Sequence, residues 1–117
     1  MRKVLVAAAG VIGPVSLAFA QGDVMTTTYG NTVVVHTDSG HEVHIYYNAD
    51  HTFTGKVVDV GFNLKGTWTV DGDTLCRIYD PVPPTVTNPV CQPIAVHNIG
   101  DNWQVGKNSA TLVQGIQ

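Results

Sequence analysis

Positive charge is scarce in this chain: six lysines and arginines stand against nine aspartates and glutamates in 117 residues. Arg2 and Lys3 are two of the six, and the others, Lys56, Lys65, Arg77 and Lys107, are scattered singly. Nucleic acids and anionic membrane surfaces are recognised by clustered lysine and arginine, so neither is an expected partner. The acidity names no partner of its own and serves solubility. Beyond the first twenty residues there is also no helical period. With it goes any Gly-rich loop opening a helix to cradle a phosphate. Ser39 in a turn and Ser109 near the C-terminus lack the strand-to-helix elbow of a hydrolase nucleophile. Cysteine is limited to Cys76 and Cys91.

What is present begins with an export signal. Arg2 and Lys3 precede an uncharged, mostly apolar run over 4–17, and Ala18-Phe19-Ala20 offers small residues at a signal-peptidase site. Gly13-Pro14 interrupts the run, which is too short to span a bilayer. Gln21 rather than a cysteine follows Ala20, so lipid attachment is not indicated. We expect a cleaved signal peptide over 1–20 and one periplasmic or secreted domain over 21–117, with no membrane span. A domain this small buries about two-thirds of its unfolded surface. In an exported chain the even cysteine pair is most simply a disulfide. Closing a loop of that length contributes roughly 3 kcal/mol. A two-thiolate metal site is the rival, disfavoured by the oxidising compartment.

Alternating, β-branched and aromatic-rich stretches recur between turn residues, the pattern of an all-β sandwich or barrel. Strands are expected near 24–29, 32–37, 42–47, 52–60, 64–70, 74–79, 90–96, 102–105 and 110–114. Gly30-Asn31 suits a two-residue hairpin, Asp38-Ser39-Gly40 a three-residue loop and Asp71-Gly72 a tight turn. Such short connections join neighbouring strands. The expected fold is therefore an antiparallel meander of about eight strands, closed or nearly closed into a small barrel.

Register follows from the apolar pattern. Pairing Thr37 with His41 sets Val35 against Val43 and Val33 against Ile45 on one face. His36, Glu42, Val34 and His44 fall on the other. Pairing Asn48 with Thr52 places Tyr47 against Phe53 and leaves His51 where φ is often positive. Gly55, Val57, Trp68 and Val70 extend the inner face. Pro81, Pro83, Pro84, Pro89 and Pro93 make the segment after Tyr79 a stiff loop outside the ladder, closed at its base by the cysteines. That loop is the best placed recognition element.

The runs Tyr46-Tyr47-Asn48-Ala49-Asp50-His51-Thr52-Phe53-Thr54-Gly55 and Gly66-Thr67-Trp68-Thr69-Val70-Asp71-Gly72-Asp73-Thr74-Leu75-Cys76 stand out. With Cys91-Gln92-Pro93 and Gly100-Asp101-Asn102-Trp103, they resemble a group of small exported bacterial proteins of unassigned function. In that group glycine usually follows the Asn-x-Asp turn, and His51 departs from it. The resemblance implies a single exported β-domain with one disulfide and carries over no active-site residue. In outline the meander is also similar to lipocalins and avidins, without a ligand-binding signature of either.

The densest chemistry is His36, His41 and His44, with Asp38 and Glu42 among them. His36 opposite Glu42, with His44 two residues along, brings two imidazoles and a carboxylate within reach of one Zn²⁺, Cu²⁺ or Fe²⁺. The same residues also suit a solvated outer face. His97 with Asp101 and the Asp71/Asp73 pair read first as loop residues. Trp68 and Trp103 read as core beside the disulfide. The expected function is non-catalytic binding in the bacterial envelope, with a small apolar molecule in the barrel mouth or a protein partner on the loops, inhibition included. No cofactor is required for that. The alternative is a metal-binding or metal-dependent role, with Zn or Cu on His36, Glu42 and His44.

Overall fold

Eight strands alternate with short turns: β1 (Thr32–His36), β2 (Glu42–Tyr47), β3 (Thr52–Val57), β4 (Phe62–Asp71), β5 (Thr74–Tyr79), β6 (Val90–Pro93), β7 (Asn102–Val105) and β8 (Asn108–Val113). The structure is a computed structural model whose described residues are 23–117, so the expected signal peptide lies outside them. All pairings are antiparallel, in the order β6-β5-β4-β3-β2-β1-β8-β7. This is a nearly closed barrel with no helix among the described residues. Its open seam falls between β6 and β7, bridged by the 94–101 connection, while β8 pairs with β1. No helix of the described residues is long and apolar enough to cross a membrane.

The register follows side-chain alternation. Val33 faces Ile45, Val35 faces Val43 and His36 faces Glu42; Tyr47 faces Phe53. His51 takes φ of 72° in the turn after Asn48, and its ring stacks on Trp68 at 4.3 Å. Boundaries shift where local chemistry competes with β-propensity. β3 stops at Val57, because the backbone N–H groups of Val60 and Gly61 both turn back to the Val57 carbonyl. β4 starts at Phe62, β6 stops at Pro93, and β8 begins at Asn108.

The strand expected over 24–29 is not one. The Asp23 carboxylate accepts the Met25 N–H at 2.9 Å, and Thr28 N–H bonds the Met25 carbonyl at 2.8 Å. A side chain that captures the backbone two residues on favours a turn over a ladder. The Gly30-Asn31 hairpin disappears with that strand. The segment instead inserts Met25, 1 % exposed, into the core.

Inward-facing Ile45, Tyr47, Phe53, Trp68, Leu75 and Leu112 make the core with Met25. The rings of Tyr47 and Trp68 meet edge to face at 5.9 Å, and those of Phe53 and Tyr79 at 5.2 Å. Gly66, opposite Phe53 in the register, leaves room for that cluster: a Cβ there would stand 1.9 Å from the Ile78 carbonyl oxygen and 3.0 Å from the Phe53 ring. Trp68 donates its indole N–H to the Asn48 and Thr52 carbonyls. The Cys76–Cys91 disulfide joins directly opposed residues of β5 and β6. Alternation puts Leu75 and Arg77 inside and Cys76 outside, so the bond lies on the outer face, away from Trp68.

Candidate functional site

The two ends of the barrel differ in what lines them. One end holds the 48–51 and 72–73 turns together with the 23–31 segment, where Tyr29 packs against Trp68 at 6.2 Å and a pocket of about 660 Å³ is lined by Asp23, His51, Trp68 and Asp73. The other end holds the turns over 37–41, 58–61 and 106–107 and the proline loop. There a cavity of about 760 Å³ runs into the barrel. Its wall is largely aliphatic, with Val33, Val35, Val43, Ile45, Val57, Leu64 and Ala110 from five strands. At the rim Val60 and Phe62 are 62 % and 43 % exposed. Pro83, Pro84, Thr85 and Val86 complete one side. The proline loop is thus a wall of the cavity as well as a connection.

That loop is anchored by a side chain that imitates a strand. Asn88 accepts the Tyr79 N–H at 2.9 Å through Oδ1 and donates to the Tyr79 carbonyl at 2.8 Å through Nδ2. It satisfies the end of β5 where β6 has not yet begun. Thr85 in the loop takes φ of 68°, an uncommon conformation for a β-branched residue.

Inside the cavity lies one permanent cation, Arg77, only 8 % exposed. Its Nε donates to Tyr79 Oη at 3.1 Å, and its Nη1 donates to Tyr47 Oη at 3.1 Å and to Gln92 Oε1 at 2.8 Å. The guanidinium carbon lies 5.8 Å from the Tyr79 ring centre. Burial works against the guanidinium charge, the facing Tyr47 and Tyr79 oxygens support it, and the balance lies above the ordinary arginine value. Burial pushes the Tyr47 hydroxyl up, against the pull of Arg77. The Tyr47 phenol therefore stays protonated at neutral pH.

His36 and His44 lie elsewhere, while His41 is among the residues lining the cavity. Glu42 receives one imidazole on each oxygen: His44 Nε2 at 2.6 Å on Oε2 and His36 Nε2 at 3.5 Å on Oε1. His44 is buried rather than solvated, because residues 114–117 cross this outer face. Gln117 donates its N–H to Thr32 Oγ1, and its carbonyl accepts the Tyr46 hydroxyl at 2.7 Å. His41 is drawn away to Asp59 at 2.7 Å, whose carboxyl is held below the usual carboxylate range by bonds from His41 and from the Glu42 N–H. Among the described residues, no group of three His, Cys, Asp or Glu side chains is gathered as a metal ion requires. His97 stacks on Trp103 at 3.6 Å. Asp101 accepts the Asn98 N–H, a loop role.

Arg77 is the residue that sequence reasoning passed over. Its signal was the alternation Leu75-x-Arg77-x-Tyr79, which places an arginine on whichever face leucine and tyrosine take.

The fold and cavity define a nearly closed β-barrel with an apolar chamber open at the proline-loop end. Compared with protein-family models, with curated proteins and with solved structures, the chain finds no match.

Proposed function

We propose that the protein binds, without catalysis, a small and largely apolar molecule in the open end of its barrel, in the bacterial envelope. The observation that carries this reading is the cavity, about 760 Å³ with an aliphatic wall and an apolar rim. That volume falls within the range of roughly 300–1,000 Å³ usual for small-molecule sites. An apolar rim on a small domain marks a place where something docks or enters. A filled core would have favoured a protein partner on the loops instead. The export signal, the resemblance to exported bacterial proteins and the disulfide support the compartment.

Native mass spectrometry of the protein purified from its own envelope tests the reading. The expected spectrum carries one additional small-molecule mass per chain. A neutral fluorescent probe such as N-phenyl-1-naphthylamine should bind one to one, and Val43→Trp, which fills the chamber, should abolish it. A bare mass together with a probe that never binds would refute the proposal.

A further inference from the structure

A guanidinium inside an apolar chamber needs a reason. Moving such a charge out of water costs several kcal/mol unless it is paired and hydrogen-bonded. The ion pairs of the described residues are His36–Glu42, His41–Asp59 and His44–Glu42, and none involves Arg77. The first twenty-two residues contain no aspartate or glutamate at all. Arg77 is thus held by neutral oxygens alone.

Counting donors shows what the cluster lacks. Nε and Nη1 are committed to Tyr79, Tyr47 and Gln92, while Nη2 has no hydrogen-bond partner among the described residues. Nor is Nη2 a sealed, unsatisfied atom, a condition found among the described residues only at Trp103 Nε1. Arg77 lines the cavity, and we take its uncommitted Nη2 to face that space. Tyr47 and Tyr79 each accept from the guanidinium, so their own O–H groups remain to donate. The cluster offers one positive charge and several donors, and its one strong acceptor, Gln92 Oε1, is already used.

We infer that the ligand is a monocarboxylate with an apolar tail, seated head first, its carboxylate accepting from Arg77 Nη2 and the Tyr47 and Tyr79 hydroxyls. This rests on the cavity-binding reading above and adds the head group. A single charge matches a carboxylate better than a phosphate monoester, which carries nearly two at neutral pH. Charge-assisted bonds to a carboxylate are the strong ones. The tail then runs along Val35, Val43 and Leu64 toward the rim at Val60 and Phe62.

Calorimetric titrations of the intact mature protein at neutral pH, with decanoate, 1-decanol and decyl phosphate below their micelle concentrations, test the inference. Decanoate should bind one to one and at least tenfold more tightly than decanol. Arg77→Met should remove that preference. Gln92→Glu, nearly isosteric, sets a carboxylate against Nη1 and should remove it too without unfolding the barrel. Equal binding of acid and alcohol to the native protein overturns the head-group assignment and leaves the chamber as a site for neutral molecules. So does a preference that survives Gln92→Glu. Tighter binding of decyl phosphate overturns the carboxylate assignment in favour of a phosphate. Failure of all three to bind overturns the cavity-binding reading itself.

Discussion

Gly66 is the position where a single methyl group does most damage. Its missing Cβ would sit 1.9 Å from a backbone oxygen of β5, an atom that cannot swing aside as a flexible side chain would. Gly66→Ala should therefore lower stability by about 3 kcal/mol or more, read as a fall in the urea midpoint. His97 gives a pH signature. Burial against Trp103 lowers its pKa from the ordinary 6.5, with Asp101 opposing. The folded state then prefers the neutral ring, so this packing contributes fully above pH 6.5 and is lost as pH falls below it. An NMR titration should place His97 below 6.5, and Trp103→Leu should move it back up. Glu42 is a third case, since its two oxygens are already taken by His36 and His44. A metal must displace both contacts, and the expected calorimetric result for Zn²⁺ is weak binding spread over several histidines. One tight site, lost in His44→Ala, would make the metal-binding alternative the leading one.

Among the elements, the hairpins around 37–41, 48–51 and 72–73 were legible, while the expected Gly30-Asn31 hairpin and the irregular segments were not. Asp38-Ser39-Gly40 fixed the β1–β2 register, because a slip of one residue would have turned Val33 and Val35 outward. The 24–29 segment misled because its threonines and tyrosine have strand propensity, while the deciding contact was one Asp23 side-chain bond. Arg77 was hidden for a related reason. Alternation left either parity open on β5, and only the pairing of Trp68 with Arg77 across the Gly72-Asp73 turn sends the arginine inward. The chamber was invisible, since a cavity depends on how eight strands curve and not on which residues alternate. The proline loop is the element whose order depends most on a covalent tie. Its cysteines lie 15 residues apart, and replacing both by serine should cost about 3 kcal/mol through restraint lost from the unfolded chain. Unfolding at an unchanged denaturant midpoint would contradict this.

At the scale of the molecule, the closing of the barrel was legible from the turns, but the place of its seam was not. Every pair of strands that is consecutive in sequence is hydrogen-bonded except β6 and β7, and β1 is paired with β8. Thr32 stands opposite Val113, its hydroxyl donating to the Gly115 carbonyl and accepting the Gln117 N–H. The sheet is thus closed by hydrogen bonds between β1 and β8, and its ladder is broken between β6 and β7. The consequence is a circular permutation that the architecture already anticipates. A chain opened after Val96 and rejoined from Gln117 to Asp23 by a short glycine linker would place its new ends at the unpaired seam. The β1–β8 ladder, which now joins opposite ends of the sequence, would become a connection between consecutive strands. Lower contact order speeds folding, so the permuted protein should reach the same circular-dichroism spectrum and refold faster than the natural chain in stopped-flow measurements.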